Sequence, residues 1–145
     1  MKEFKLQVVL EQRQRLEDQA QLTLAEALQH EREIMNRMTS ETCEMSEICR
    51  DYEDRQAVGM QSHEFELYEN RISHARQILN LLDQQLGEAR NWVLQCREKL
   101  GEAGRDKKLL EKLKEKKLDE RKKELNRREM KHVDEVAIMF RNGDK

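Results

Sequence analysis

"YENRISHARQILNLLDQQLGEARNWVLQCREKLGEA", Tyr68 to Ala103, decides the fold. From Tyr68 the chain steps through Ile72, Ala75, Leu79, Leu82, Leu86, Ala89, Val93, Cys96, Leu100 and Ala103, alternating spacings of 4 and 3 with no charged residue among them. A hydrophobic repeat of about 3.5 residues is the a/d seam of a coiled coil, so this stretch predicts a long helix paired along one stripe.

The first half of the chain offers a looser stripe: Val9, Leu16, Ala20, Thr23, Ala27, Ile34, Met38, Met45, Ile48 and Tyr52. Arg13, His30 and Glu41 interrupt it, which suggests a shift of register after Ile34. Between the two stripes lies "RQAVGMQSHEFELYE", Arg55 to Glu69, with Gly59 as the turn, Ser62 as an expected N-cap and Glu64 and Glu66 in the following first turn. The apolar pattern runs through Gly87 and up to Ala103, so Gly87, Gly101 and Gly104 are placed inside the second helix.

Composition agrees with this reading. Of 145 residues 37% are hydrophobic and 40% charged, with no proline and only five glycines, which leaves little material for a thick globular core and few helix breakers. The expected fold is all-α: a single domain forming a long antiparallel two-helix coiled-coil hairpin. Helix 1 is expected at about residues 4–56, the turn at 57–62 and helix 2 at 63–141. If the chain reverses near Gly59, position i faces about 119 minus i, which sets Phe4 opposite about residue 115. The second helix is then the longer and overhangs at its C-terminal end, by on the order of 37 Å at 1.5 Å per residue.

The overhang carries "RREMKHVDEVAIMFR", Arg127 to Arg141, where Met130, Val133, Ala137 and Phe140 recur at spacings of 3, 4 and 3 with no partner stripe in the chain. Charge is uneven as well. Residues 1–104 hold 13 basic and 20 acidic residues, whereas residues 105–131 hold 13 and 7, a net of −7 against +6. Acids interleave with the bases, and i, i+4 pairs such as Asp119 with Lys123 and Glu124 with Arg128 support the helix by roughly 0.2–0.5 kcal/mol each. No aromatic residue lies between Trp92 and Phe140, so the basic block has no base-stacking platform and nucleic acid is not the expected partner.

Other classes are disfavoured on equally direct grounds. No run of 18 apolar residues occurs and charges recur throughout "MKEFKLQVVLEQRQR", so neither a membrane span nor a signal peptide is expected and the protein is read as cytoplasmic. Cys43, Cys49 and Cys96 are an odd set without CxxC spacing, as reduced thiols are. His30, His63, His74 and His132 have no metal-ligand spacing, no phosphate-binding glycine loop exists, and a two-helix hairpin encloses no cavity in which to tune an acid or base. No enzyme activity, metal or cofactor is expected.

"KLLEKLKEKKLDERKKELNRREMKHVDEVAIMFR", Lys108 to Arg141, resembles the C-terminal pattern of the FliJ family of flagellar type III export proteins, with its block at Arg127, Arg128, Glu129, Lys131, Asp134, Glu135 and Ala137. "FKLQVVLEQRQRLEDQAQLTLAEAL" from Phe4 and "GMQSHEFELYENRI" from Gly59 are similar to the family's opening helix and its hairpin, so the resemblance spans nearly the whole chain. It implies a non-enzymatic stalk or chaperone component, cytoplasmic at the basal-body face, that docks into the hexameric export ATPase and couples it to the export gate. Export chaperones are implied as further partners, without membrane insertion, and a monomer when free. Carried over, the ATPase-binding residues are Arg127, Arg128, Lys131, Val133, Asp134, Val136, Ala137 and Phe140. A surface for the cytoplasmic domain of the gate falls at Met45, Ile48, Tyr52, Tyr68 and Ile72, which equally suit plain seam packing. The competing readings are a self-associating structural coiled coil and the stalk of a virulence-type secretion system.

Overall fold

The computed structural model describes residues 2–143, with side chains from residue 5 onward, so the expected placement of the Phe4 side chain lies outside the described residues. Two helices make up the fold: α1, Lys2–Val58, and α2, Ser62–Gly143. They pack against each other as a hairpin, and no strand occurs among the described residues.

Gly59 makes the turn. Its φ is 107°, the left-handed conformation that glycine adopts without steric cost, and its N–H donates to the Arg55 carbonyl at 3.0 Å, closing α1 with an αL cap. Two residues later the Gln61 carbonyl accepts the N–H groups of Glu64 and Phe65 at 3.1 and 3.3 Å. Gln61 is therefore the capping residue and Ser62 the first helical one, one position earlier than expected from the Ser/Glu pattern. Glu64 in the first turn and Arg141 in the last match the helix dipole.

The chain forms two compact units, residues 18–101 and residues 1–17 with 102–145. They are called here the hairpin unit and the terminal unit.

In the hairpin unit the α2 seam is as the spacing predicts: Ala75, Leu82, Leu86, Ala89, Val93 and Cys96 are buried, and Tyr68, Ile72, Leu79 and Leu100 half-buried. The α1 side differs from the expectation. Its buried and half-buried positions include Ala20, Leu24, Ala27, Glu31, Ile34, Met38, Glu41, Met45, Ile48 and Tyr52, an unbroken 4–3 alternation, with Thr23, Leu28 and Cys49 half-buried beside it. No shift of register occurs after Ile34. The apparent shift arose because Leu16, Thr23 and His30 of the expected stripe each fall one residue before the seam positions Glu17, Leu24 and Glu31, and a search for apolar residues steps around the two acids. Long acidic side chains are tolerated there because their stems pack while the heads reach the rim, as Glu31 does toward Arg90 at 3.9 Å.

Two clusters hold the unit together. Ile34 packs with Leu82, Leu86 and Ala89, joined by Met38 and Ile78; Ala27 packs with Val93 and Cys96, joined by Leu24 and Leu28. Rising numbers on one helix meet falling numbers on the other, so the pairing is antiparallel. Leu82 is only 2% exposed, and burying such a side chain contributes about 1.5–3 kcal/mol.

In the terminal unit the same alternation continues on each helix with different chemistry. Leu6, Leu10, Arg13 and Glu17 on α1, and Ala103, Lys107, Leu110 and Lys114 on α2, are half-buried, and no described residue of this unit is buried. Val9 and Leu16, expected in the seam, are instead 37% and 42% exposed, because the next residues, Leu10 and Glu17, hold the seam positions. Lys114 Nζ donates to Gln7 Oε1 at 2.7 Å, Arg13 faces Asp106 at 3.8 Å and Lys107 faces Glu17 at 3.4 Å. Beyond Lys114 every described residue of α2 is exposed except half-buried Glu124. The overhang is therefore present and starts where the hairpin arithmetic sets it.

Candidate docking surface

Past Leu110 and Lys114 the positions that carry on the seam are Lys117, Arg121, Glu124, Arg128, Lys131 and Glu135, all charged. A further length of α1 could not pair with such a line as it does with Leu82 or Val93. Ile138 returns the line to an apolar residue, but the other apolar residues of the overhang sit on other lines of the helix. Leu118, Leu125 and Met139 each follow a seam position by one residue, and Met130, Val133, Ala137 and Phe140 by two, displacements of about 100° and 200° around the helix.

"VAIMF", Val136 to Phe140, goes further. Five consecutive apolar residues at about 100° each point to all sides of the helix, so no rotation can turn them all toward one neighbour. Met139 is 74% and Phe140 75% exposed, with Ile138 and Val133 close behind and Val136 the least open of the group. A helix apolar all round is ordinarily buried all round.

Upstream, the two arginines of the C-terminal block converge on one carboxylate. Arg127 Nη2 donates to Glu124 Oε1 at 3.0 Å, and Arg128 Nε lies 3.5 Å from the same oxygen. The hydrogen bond from Arg127, reinforced by its charge and that of Arg128, lowers the Glu124 carboxyl below its ordinary pKa. This i, i+3 and i, i+4 fork stiffens the helix ahead of the apolar end. Arg127, Arg128, Lys131, Val133, Asp134, Val136, Ala137 and Phe140 thus all lie exposed on one stretch of α2. Ile138 and Met139 belong with them but do not follow the 3–4–3 stripe, and only the length of the apolar run betrays them in the sequence.

Met45, Ile48, Tyr52, Tyr68 and Ile72 are half-buried seam residues of the hairpin unit. Tyr52 lies 5.2 Å from Tyr68 and 6.0 Å from Phe65 between ring centroids, an aromatic cluster that the sequence reading lacked for want of Phe65. The Tyr68 hydroxyl donates to Asp51 Oδ2 at 2.7 Å, and losing that bond on ionisation raises the phenol above its ordinary pKa of 10.0. Val58 and Leu67 stand exposed in the same unit.

Among the described residues no three His, Cys, Asp or Glu side chains group to hold a metal ion, and His30 packs edge-on against Trp92 with centroids 6.0 Å apart. No described helix is long and apolar enough to cross a membrane.

The class of fold is an all-α helical hairpin, an antiparallel coiled coil whose second helix outruns the first and carries an exposed apolar turn near its end. The chain belongs to the FliJ family: the family model described as the flagellar FliJ protein matches residues 1–143. No curated protein and no solved structure gives a significant match. Membership makes this a flagellar export-related protein of a family that is structural or export-associated.

Proposed function

We propose that this protein is a non-enzymatic stalk of the flagellar type III export apparatus whose terminal unit inserts into the hexameric export ATPase. The observation that carries this reading is the apolar turn at residues 136–140: it faces all directions, so it suits a partner that surrounds the helix, as the bore of a ring does, better than one that lies alongside. Val133, Val136, Ala137 and Phe140 supply the apolar contact, while Arg127, Arg128, Lys131 and Asp134 offer charges of both signs to the repeated inner faces of the ring. The hairpin unit, whose α2 seam is apolar from Tyr68 to Leu100, then serves as the stiff element that couples the ATPase to the cytoplasmic domain of the export gate. The gate is met around Met45, Ile48, Tyr52, Tyr68 and Ile72, through whatever these seam residues leave uncovered and the exposed Val58 and Leu67. Export chaperones are further partners, and the site of action is the cytoplasmic face of the basal body.

Binding to the ATPase of the same organism tests the assignment. Phe140→Ala should weaken binding by at least about tenfold, as central aromatic anchors do, and Trp92→Ala in the hairpin unit by far less. Equal losses overturn it in favour of general destabilisation. A stable dimer or filament at micromolar concentration, read by sedimentation, favours the self-associating reading instead.

A further inference from the structure

We infer that residues 5–17 of α1 form an arm that dissociates from α2 as a unit while the hairpin unit stays paired, and that its release uncovers Lys107, Leu110 and Lys114.

Three features of the terminal unit support this. The seam there contains no buried residue, and α2 presents Ala103 and Gly104, the smallest side chains available, where the hairpin unit presents Leu82, Leu86 and Val93. Apolar contact is thus left to the half-buried Leu6, Leu10 and Leu110. In its place the arm is held by polar contacts: Arg13 with Asp106, Glu17 with Lys107, and Gln7 accepting from Lys114. Both members of the Arg13–Asp106 pair are more than 40% exposed, where ion pairs are weak and screened by salt.

Glu17 adds a specific weakness. Its Oε2 is shielded from solvent and has no hydrogen-bond donor, although the Lys107 ammonium lies 3.4 Å away. The ammonium is at ion-pair distance but off the line a hydrogen bond needs, so attraction persists while the desolvated lone pairs stay unmet, which favours opening. Finally, helix stability in proteins comes mostly from packing of one face, so an arm that lets go of α2 loses that support, unwinds back toward the paired part of α1, and its amides exchange. Pairing becomes secure only from Leu24 and Ala27 onward, where the first buried cluster begins.

Release has a structural consequence for α2. The uncovered positions Lys107, Leu110 and Lys114 precede the exposed overhang on the same helix, lengthening the free surface by on the order of 15 Å. That a partner on the overhang uses this extension rests on the docking reading above; the opening itself does not.

Hydrogen exchange on the full chain, without partner, tests the opening. Amides of residues 5–17 should exchange together, at least roughly tenfold faster than those of residues 27–38, and faster still by several-fold when salt is raised from low to about half molar. The variant Arg13→Leu/Glu17→Leu, which makes both charged arm positions apolar and leaves α2 untouched, should slow that exchange and remove its salt dependence. The inference is overturned if residues 5–17 exchange as slowly as residues 27–38. It is also overturned if rates fall smoothly from residue 5 to 17 regardless of salt, which is simple end fraying, or if the double variant exchanges no more slowly. None of these readings involves the ATPase, so the outcome is independent of the docking assignment.

Discussion

The hairpin unit and the terminal unit follow one heptad phase and use it to opposite ends. In residues 18–101 the seam includes Ala27, Ile34, Leu82, Leu86, Val93 and Cys96, all buried, with Glu31 and Glu41 as its charged exceptions; in the terminal unit the same phase on α2 reads Lys107, Leu110, Lys114, Lys117, Arg121 and Glu124, none buried. Helical geometry is common to both, so geometry does not separate them. The difference lies in what occupies the phase: where it is apolar the chain satisfies itself, and where it turns charged the apolar residues move to other lines of the helix and remain available to something else.

Substitutions should expose that division, beginning with the largest effect. Leu82→Ala removes a side chain 2% exposed from the centre of a cluster and should cost about 2–5 kcal/mol in urea unfolding followed by helicity, whereas half-buried Leu10→Ala should cost about 1 kcal/mol or less. Similar costs for the two would erase the distinction between the units. Next in size, Ala27 is fully buried against Val93 and Cys96, so Ala27→Leu overpacks the seam by about 1–3 kcal/mol.

Glycine exchanges sharpen the comparison further. At Gly87 an added Cβ meets no atom within 4 Å, so Gly87→Ala should raise stability by about 0.5–1 kcal/mol. Gly59→Ala, forced into a φ of 107°, should lower it by about 1 kcal/mol or more, seen as a drop in Tm. The smallest effects concern pH and have opposite signs in the two units. The Tyr68 phenol is raised, so its bond to Asp51 contributes below the ordinary tyrosine pKa and is lost as pH rises through the raised value; Asp51→Asn should bring the tyrosinate absorbance transition back down. Glu124 is lowered, so its fork with Arg127 and Arg128 contributes above the ordinary carboxyl pKa and is lost as pH falls through the lowered one. Titration of the Glu124 carboxyl by NMR, with Arg127→Gln as the comparison, checks the second.

Much of the fold was legible because the α2 seam from Tyr68 to Ala103 contains no charged residue, and a stripe that clean has one reading. The α1 seam was not, since Arg13, Glu17, Glu31 and Glu41 hold seam positions; a search by residue type passes over Glu17 for exposed Leu16, and in "VVL" nothing in residue type separates exposed Val9 from half-buried Leu10. The turn at Gly59 was legible from a single residue, but the cap was misplaced by one, because a Ser before acids signals a helix start without saying whether its own hydroxyl or the preceding carbonyl closes it. At the C-terminal end the overhang followed from counting residues, and the 3–4–3 stripe found Met130, Val133, Ala137 and Phe140. Ile138 and Met139 lay off that stripe, and their place in the surface follows from the absence of any covering element, which is a property of the fold and not of their own spacing.

The most direct test of the division is to delete the residues after Lys131 and measure stimulation of the cognate export ATPase alongside helicity. Loss of stimulation with the hairpin unit still helical and unfolding at an unchanged urea midpoint is the predicted result; normal stimulation by the truncated protein contradicts the docking surface.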